Sequence, residues 1–252
     1  MILQYASDLH LEFPQNVEFL KTNPIKPIGD ILLLAGDIVP FAILDKHDDF
    51  FNYLTDNFQT TYWIPGNHEY YYFDAAKKCG VLNEKIKSNV FLVNNTSIIH
   101  NKVKLIFSTL WSKISDAYQW QIEKGLSDFH VIKYNGHRFS ANQFNEFHHE
   151  SIAFLSNELA KEKTTNSLVI THHVPTFMNY PVKFKGDALN EAFAVELFDL
   201  IEFNGPDYWI FGHTHNNPSD FEIGKTKLTC NQLGYVQYNE QIGFNFEKVI
   251  NF

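Results

Sequence analysis

The chain has 252 residues, 44% hydrophobic and 19% charged, which is ordinary globular usage. Intrinsic disorder, collagen-like repeats and a pure coiled coil are excluded, and the length suits one large core. A formal charge of -9 argues against a sequence-independent grip on nucleic acid or an anionic membrane, since both need a basic face.

The opening residues MILQYASDLHLEF carry neither a basic leader nor a signal-like apolar stretch. The longest apolar run, residues 31–35, is too short to cross a bilayer. A soluble, cytoplasmic protein is expected. Strand-like runs recur, and each stops at a polar cluster: 2–6 before Ser7-Asp8, 31–35 before Gly36-Asp37, and 62–64 before Pro65-Gly66-Asn67. The pattern returns at 168–170 before Thr171-His172-His173 and at 208–211 before Gly212-His213. Between them, helical spacing predicts helices over 48–57, 75–86, 141–163 and 191–203. The third opens on the capping-box spacing Ser140 to Gln143, and the fourth closes on Asn204-Gly205 and Pro206.

Further strands are expected at 90–93, 97–100 and 103–107, with a turn at Asn101-Lys102, and a terminal group at 227–231, 236–238 and 243–248. One parallel sheet does not hold so much β-structure. The expected fold is α/β, with two sheets packed face to face and helices on their outer sides, in one domain over 1–252. Residues 112–139 lack periodicity and read as an insertion over one face. Cys79 and Cys230 lie outside any CxxC spacing and read as two separate thiols in a reducing compartment.

Ligands in α/β folds gather beyond the carboxyl ends of the strands, so the polar tips should meet. They contribute Asp8, His10, Asp37, Asn67, His68, Glu69, His172, His173, His213 and His215. Asp, Asn and His without Cys form a mixed oxygen and nitrogen set suited to Mn, Fe, Zn, Co or Ni. In Asp8-Leu9-His10 and His213-Thr214-His215, alternate residues of an extended backbone would address one locus, and two such pairs suggest two metals. Gly36 and Gly66 allow close approach, and the two oxygens of Asp37 allow it to bridge. His47, His100, His130, His137, His148 and His149 have no such setting.

Together, Asp8-Leu9-His10, Gly36-Asp37, Gly66-Asn67-His68-Glu69, Thr171-His172-His173 and Gly212-His213-Thr214-His215 resemble the five blocks of the calcineurin-like metallophosphoesterase superfamily, across nearly the whole chain. The resemblance implies a four-layer α-β-β-α sandwich and a binuclear centre of divalent or trivalent ions, with Mn, Fe or Zn expected. One ion would take Asp8, His10, Asp37 and His215, and the other Asp37, Asn67, His172 and His213. A hydroxide between the ions would then attack phosphorus in line. His68 is expected to protonate or hydrogen-bond the leaving oxygen; Glu69 is read as orienting an imidazole from behind and His173 as lying there too, with a plain structural contact the alternative for either.

Departures narrow the substrate. The phosphoprotein phosphatase block GDxxDRG is replaced here by Gly36-Asp37-Ile38-Val39-Pro40-Phe41-Ala42, and Pro40 stands where purple acid phosphatases place a ligating tyrosine. The double-strand-break nuclease branch carries large additions that this short, acidic chain lacks. A small phosphodiester or phosphomonoester is the expected substrate, with no non-specific nucleic acid binding and no membrane partner. Selectivity is expected from Trp111, Tyr118, Trp120 and Arg138, from the loop 174–189 with Phe177, Tyr180, Lys183 and Lys185, and from Tyr70 to Tyr72. Ordinary packing is the alternative for each. A non-catalytic metal-binding scaffold or nucleotide sensor is the competing functional expectation. Every ligand position is filled, which favours catalysis.

Overall fold

Apolar runs bounded by polar tips become the central strands of two sheets. A computed structural model describes residues 1–163 and 165–252. Its strands are β1 (Ile2–Ala6), β2 (Ile31–Ala35), β3 (Thr60–Ile64), β4 (Leu82–Lys87), β5 (Val90–Asn94), β6 (Thr96–His100) and β7 (Val103–Ser108), then β8 (Lys133–Tyr134), β9 (His137–Arg138), β10 (Asn166–Thr171), β11 (Tyr208–Phe211), β12 (Phe221–Ile223), β13 (Thr226–Cys230) and β14 (Val249–Asn251). The helices are α1 (Pro14–Thr22), α2 (Asp48–Asn57), α3 (Gln119–Gly125), α4 (Asp128–Val131), α5 (Ala141–Leu159) and α6 (Phe198–Asn204).

One six-stranded sheet runs β14-β1-β2-β3-β5-β4, the other β12-β13-β11-β10-β7-β6, and β8-β9 form a small hairpin. Strands β1, β2, β3 and β5 pair in parallel, as do β13, β11, β10 and β7, while β14, β4, β12 and β6 add antiparallel edges. Side-chain alternation splits each central strand between two cores. Ile31, Leu33 and Ala35 of β2 pack between the sheets with Phe107, Leu168, Ile170 and Ile210. Leu32 and Leu34 face outward to Phe51 and Leu54 of α2. On the other sheet, Val169, Trp209 and Phe211 face Leu155 of α5 and Ile201 of α6. Both faces of each sheet are covered, which explains why the strands are apolar throughout and produces the expected four layers.

Several predicted elements differ. Over 75–86 only a turn at Ala75–Lys77 is helical, and from Leu82 the chain becomes β4, because Leu82 enters the core and the edge of β5 supplies a hydrogen-bonding ladder. Over 191–203 a 3₁₀ helix ends at Ala192 and α-helix begins only at Phe198, since Val174 and Ala194 pair as a bridge that keeps the chain extended between them. The helix over 141–163 ends at Leu159, and the predicted capping box does not form. Instead Glu123 accepts the Ala141 N–H at 2.8 Å, and the Ser140 hydroxyl bonds to the Gln143 side chain. Residues 236–238 form a 3₁₀ turn and 243–248 form no strand. That stretch wraps the strand ends, with Asn231 holding Asn245 through two hydrogen bonds of 2.8 and 2.9 Å.

Candidate metal centre

Strands β1, β2, β3, β10 and β11 each deliver a polar tip at the carboxyl end, and these tips converge. Oxygen or nitrogen atoms of Asp8, His10 and His215 gather in one group, and those of Asp37, His172 and His213 in a second. Asp37 joins them: its Oδ2 lies 3.8 Å from His10 Nε2 and 3.3 Å from His172 Nε2. Asn67 Oδ1 lies 3.3 Å from His172 Nε2. The alternation expected of an extended backbone is not how these atoms meet. Asp8, His10, Asp37, His213 and His215 all adopt positive φ, from 48° to 79°. The tips after β1, β2 and β11 thus curl back through left-handed residues, a strained conformation typical of functional sites, whereas those at Asn67 and His172 do not. Gly66 permits the closest approach, because a Cβ there would sit 2.2 Å from Asp37 Oδ1.

The donor set fits cations. His10 Nε2 faces His215 Nε2 at 2.8 Å, and His172 Nε2 faces His213 Nδ1 at 3.0 Å. The far nitrogens of three of these rings are fixed by acceptors: His10 Nδ1 by Glu12 at 3.0 Å, His215 Nδ1 by Glu240 at 2.6 Å, and His172 Nδ1 by the Ala35 carbonyl at 2.9 Å. With those N–H groups directed outward, neutral rings aim lone pairs at one another, which is stable only with a proton or a metal between them. Burial lowers the pKa of His172 and of His215, but nearby carboxylates outweigh it. Asp37 and Asp8 raise His172 to about 9, and Asp8 and Glu240 raise His215 to about 10. Burial pulls down His10 and His213, so each facing pair shares one proton when no cation is bound. Burial pushes Asp37 up, yet His172 and His68 hold it well below the usual carboxylate range.

His68 sits at the mouth, where it and His215 keep 10% and 11% of their side chains exposed, against 0% for His10 and His172. Its ring stacks on Tyr71 at 4.0 Å, and Nδ1 bonds to Glu12 at 2.7 Å, leaving Nε2 turned toward Asp37 Oδ2 at 4.0 Å. Glu69 hydrogen-bonds to no imidazole among the described residues. Its carboxylate accepts the N–H groups of Asp37, Ile38 and Gly66 and of the Trp63 indole, at 2.6 to 2.9 Å, and so clamps two ligand loops. His173 packs its ring 4.3 Å from His213, and its Nε2 has no hydrogen-bond partner among the described residues. Burial and the neighbouring His172 push its pKa down to about 3.

Four contributors carry no signal in the sequence blocks. Glu12 serves His10 and His68 through one oxygen, and Glu240 backs His215. Asp128, from the 112–139 segment, accepts from Asn67 Nδ2 at 2.9 Å and from the Tyr71 hydroxyl at 2.8 Å. Tyr235 lies against the rings of His10 and His215. Of the residues expected to select substrate, Tyr70 and Trp111 belong to the core, and Tyr180 is buried. Arg138 is engaged by the carbonyls of Phe129 and Glu123. Lys183 lies close enough to Glu240 to help lower its pKa, after burial, which raises it, and the His215 contact. His100, His130 and His148 bond to Tyr62, to the Lys124 carbonyl and to the Trp111 carbonyl, away from the cluster.

Two stacked mixed sheets with buried His/Asp groups at their strand ends suggest a site for two metal ions. The chain belongs to the calcineurin-like phosphoesterase family, whose model matches residues 5–217. It is 30% identical over 271 residues to the uncharacterized protein L509 of Acanthamoeba polyphaga mimivirus, covering 97% of this chain and 94% of that protein. Its fold is similar to that of a phosphopantetheinyl hydrolase from Mycobacterium tuberculosis, with TM-score 0.70, 13% identity and coverage of 98% and 95% of the two chains. A dimetal phosphatase from Danio rerio is similar at TM-score 0.50, with 12% identity over 92% of this chain and 87% of that one. Among the described residues no helix is long and apolar enough to cross a membrane.

Proposed function

We propose that the protein is a phosphoesterase that hydrolyses a phosphodiester or a small phosphomonoester by attack of water on phosphorus. What carries this reading is the single oxygen, Asp37 Oδ2, lying within reach of nitrogens from both ligand groups. Asp8, His10 and His215 would hold one ion, Asn67, His172 and His213 the other, and Asp37 both, with Mn, Fe or Zn suited to the set. Such a pair supplies positive charge for phosphoryl oxygens and lowers the pKa of water.

The remaining chemistry belongs to the chain. His68 is held by Glu12 and Tyr71 with Nε2 turned toward Asp37 Oδ2. From there it can give its proton to the ester oxygen as the P–O bond breaks and recover one from solvent. Arg138 is committed elsewhere and Lys183 stands near Glu240, so a small ester of modest charge suits the site better than a polyphosphate. The separate thiols Cys79 and Cys230 fit a reducing, cytoplasmic setting.

The purified protein loaded with Mn²⁺ should hydrolyse bis(p-nitrophenyl) phosphate or p-nitrophenyl phosphate. A panel of 2′,3′-cyclic, 3′,5′-cyclic and acyclic diesters, phosphopantetheinyl esters and simple monoesters then identifies the substrate class. Protein that binds two metals but turns over nothing in the panel is a scaffold or sensor instead.

A further inference from the structure

The segment after β13 wraps back over the metal cluster and brings two side chains that no ligand block marks, Glu240 and Tyr235. The N–H groups of Leu233 and Gly234 donate to the carbonyls of Ser7 at 3.1 Å and Asp8 at 3.0 Å. The Gly234 carbonyl accepts from Asn16 Nδ2 at 2.8 Å. The Tyr235 N–H donates at 2.8 Å to Glu240 Oε2, the same oxygen that takes His215 Nδ1. The backbone here is therefore tied both to ligand Asp8 and to the carboxylate behind His215.

From this anchor the Tyr235 ring lies edge-on to His215, with centroids 4.4 Å apart, and tilted against His10 at 4.6 Å, with Phe13 on another side at 5.1 Å. Its hydroxyl ends 3.4 Å from His68 Nε2. That gap is longer than a strong hydrogen bond, and an oxygen seated against both atoms would find two donors. His68 Nδ1 is already spent on Glu12, so Nε2 is the nitrogen free for substrate.

Resting on the phosphoesterase reading, we propose that Tyr235 is a catalytic residue whose hydroxyl donates a hydrogen bond to the leaving ester oxygen while His68 Nε2 delivers the proton. As the P–O bond breaks, its electron pair stays on the leaving oxygen. The proton from His68 completes the alcohol, and Tyr235 keeps its own. A phenol with an ordinary pKa of about 10 is a neutral donor at pH 7. A fixed donor costs no reorganisation as charge develops, and it does here part of what a guanidinium does elsewhere.

Tyr235→Phe keeps the ring that packs on His10 and His215 and removes only the hydroxyl. Metal content would be measured by elemental analysis, kcat and KM on esters with p-nitrophenyl, phenyl and methyl leaving groups, and inorganic phosphate affinity by calorimetry. The expected result is unchanged metal and KM, weaker phosphate binding, and a kcat loss of about 10²-fold on the methyl ester that shrinks toward p-nitrophenyl. Equal losses across the leaving groups, no loss, or loss of metal each overturn the role. Wild-type protein that neither hydrolyses an ester nor binds phosphate sinks the phosphoesterase reading and this proposal with it. Active, phosphate-binding wild type beside an indistinguishable Tyr235→Phe sinks the tyrosine's role alone.

Discussion

Glu69→Gln is the sharpest test of how the ligand loops are held. Oε2 of Glu69 accepts the N–H groups of Asp37 and Gly66, and Oε1 those of Ile38 and the Trp63 indole. The side chain is fully buried, so water cannot replace a lost acceptor. Glutamine has one carbonyl oxygen, and its NH₂ group would point at two N–H donors instead of accepting from them. Each buried donor left without a partner costs about 1–3 kcal/mol, so two give about 2–6 kcal/mol. Against a total stability of about 5–15 kcal/mol this is a large fraction. For a chain of this size, about 2–4 °C per kcal/mol converts it to a Tm fall of about 4–24 °C.

Urea and thermal unfolding of metal-free protein measure the effect without interference from bound ions. Glu18→Gln, on the exposed face of α1, is the control and should stay within about 0.5 kcal/mol of wild type. Because Asp37 and Asn67 flank the clamped amides, Glu69→Gln should also lose metal affinity. An unfolding midpoint equal to that of wild type would falsify the clamp.

Asp37→Ala should take metal content from about two ions per chain to about zero and abolish turnover, since one carboxylate faces both ligand groups; retention of one tightly held ion refutes the sharing. Asp128→Ala frees the Asn67 amide to rotate and should weaken one ion about 10- to 100-fold while sparing the other, as read by competition with a chelator. His68→Ala should keep both ions and cut kcat about 10²- to 10⁴-fold; full rate would exclude the proton-donor role. Metal loading near pH 7 should release about two protons, those held by His172 and His215, and calorimetry in buffers of different ionisation enthalpy counts them. Both histidines are raised from an ordinary 6.5, so in metal-free protein their ion pairs stabilise fully below about pH 6.5, and that contribution fades as pH rises through about 9 and 10. Metal-free stability that increases across this range contradicts the sign.

The parallel strands were legible because burial on both faces leaves an uninterrupted apolar signature, as in Ile31–Ala35, all five residues of which are buried. Their polar ends were legible for the complementary reason: Asp, Asn and His at a buried strand terminus have no ordinary packing role. Elements whose conformation is decided by a partner were not legible. The Leu82–Lys87 segment has helix-forming residues and an exposed lysine, Lys85, yet it pairs antiparallel with Val90–Asn94 because an open sheet edge lies beside it. The turn at Val236–Tyr238 is apolar enough to read as a strand, but the Tyr235 and Val236 N–H groups bond to Glu240 and Asn16 rather than to a ladder.

The same distinction runs through the site. Side chains that face the two cation positions come from short blocks, because a strand end can place only one or two residues there. Those that orient them come from anywhere the fold passes. Glu12 lies two residues beyond His10, whereas Asp128 reaches Asn67 from 61 positions away and Glu240 reaches His215 from 25. Nothing local distinguishes such a carboxylate from the many that face solvent. What distinguishes it is burial combined with an imidazole or amide N–H aimed at it, which only the folded chain supplies. A block pattern therefore locates the reactive centre but leaves out the acceptors that set each ring's tautomer, and those acceptors decide whether the facing nitrogens offer lone pairs or protons.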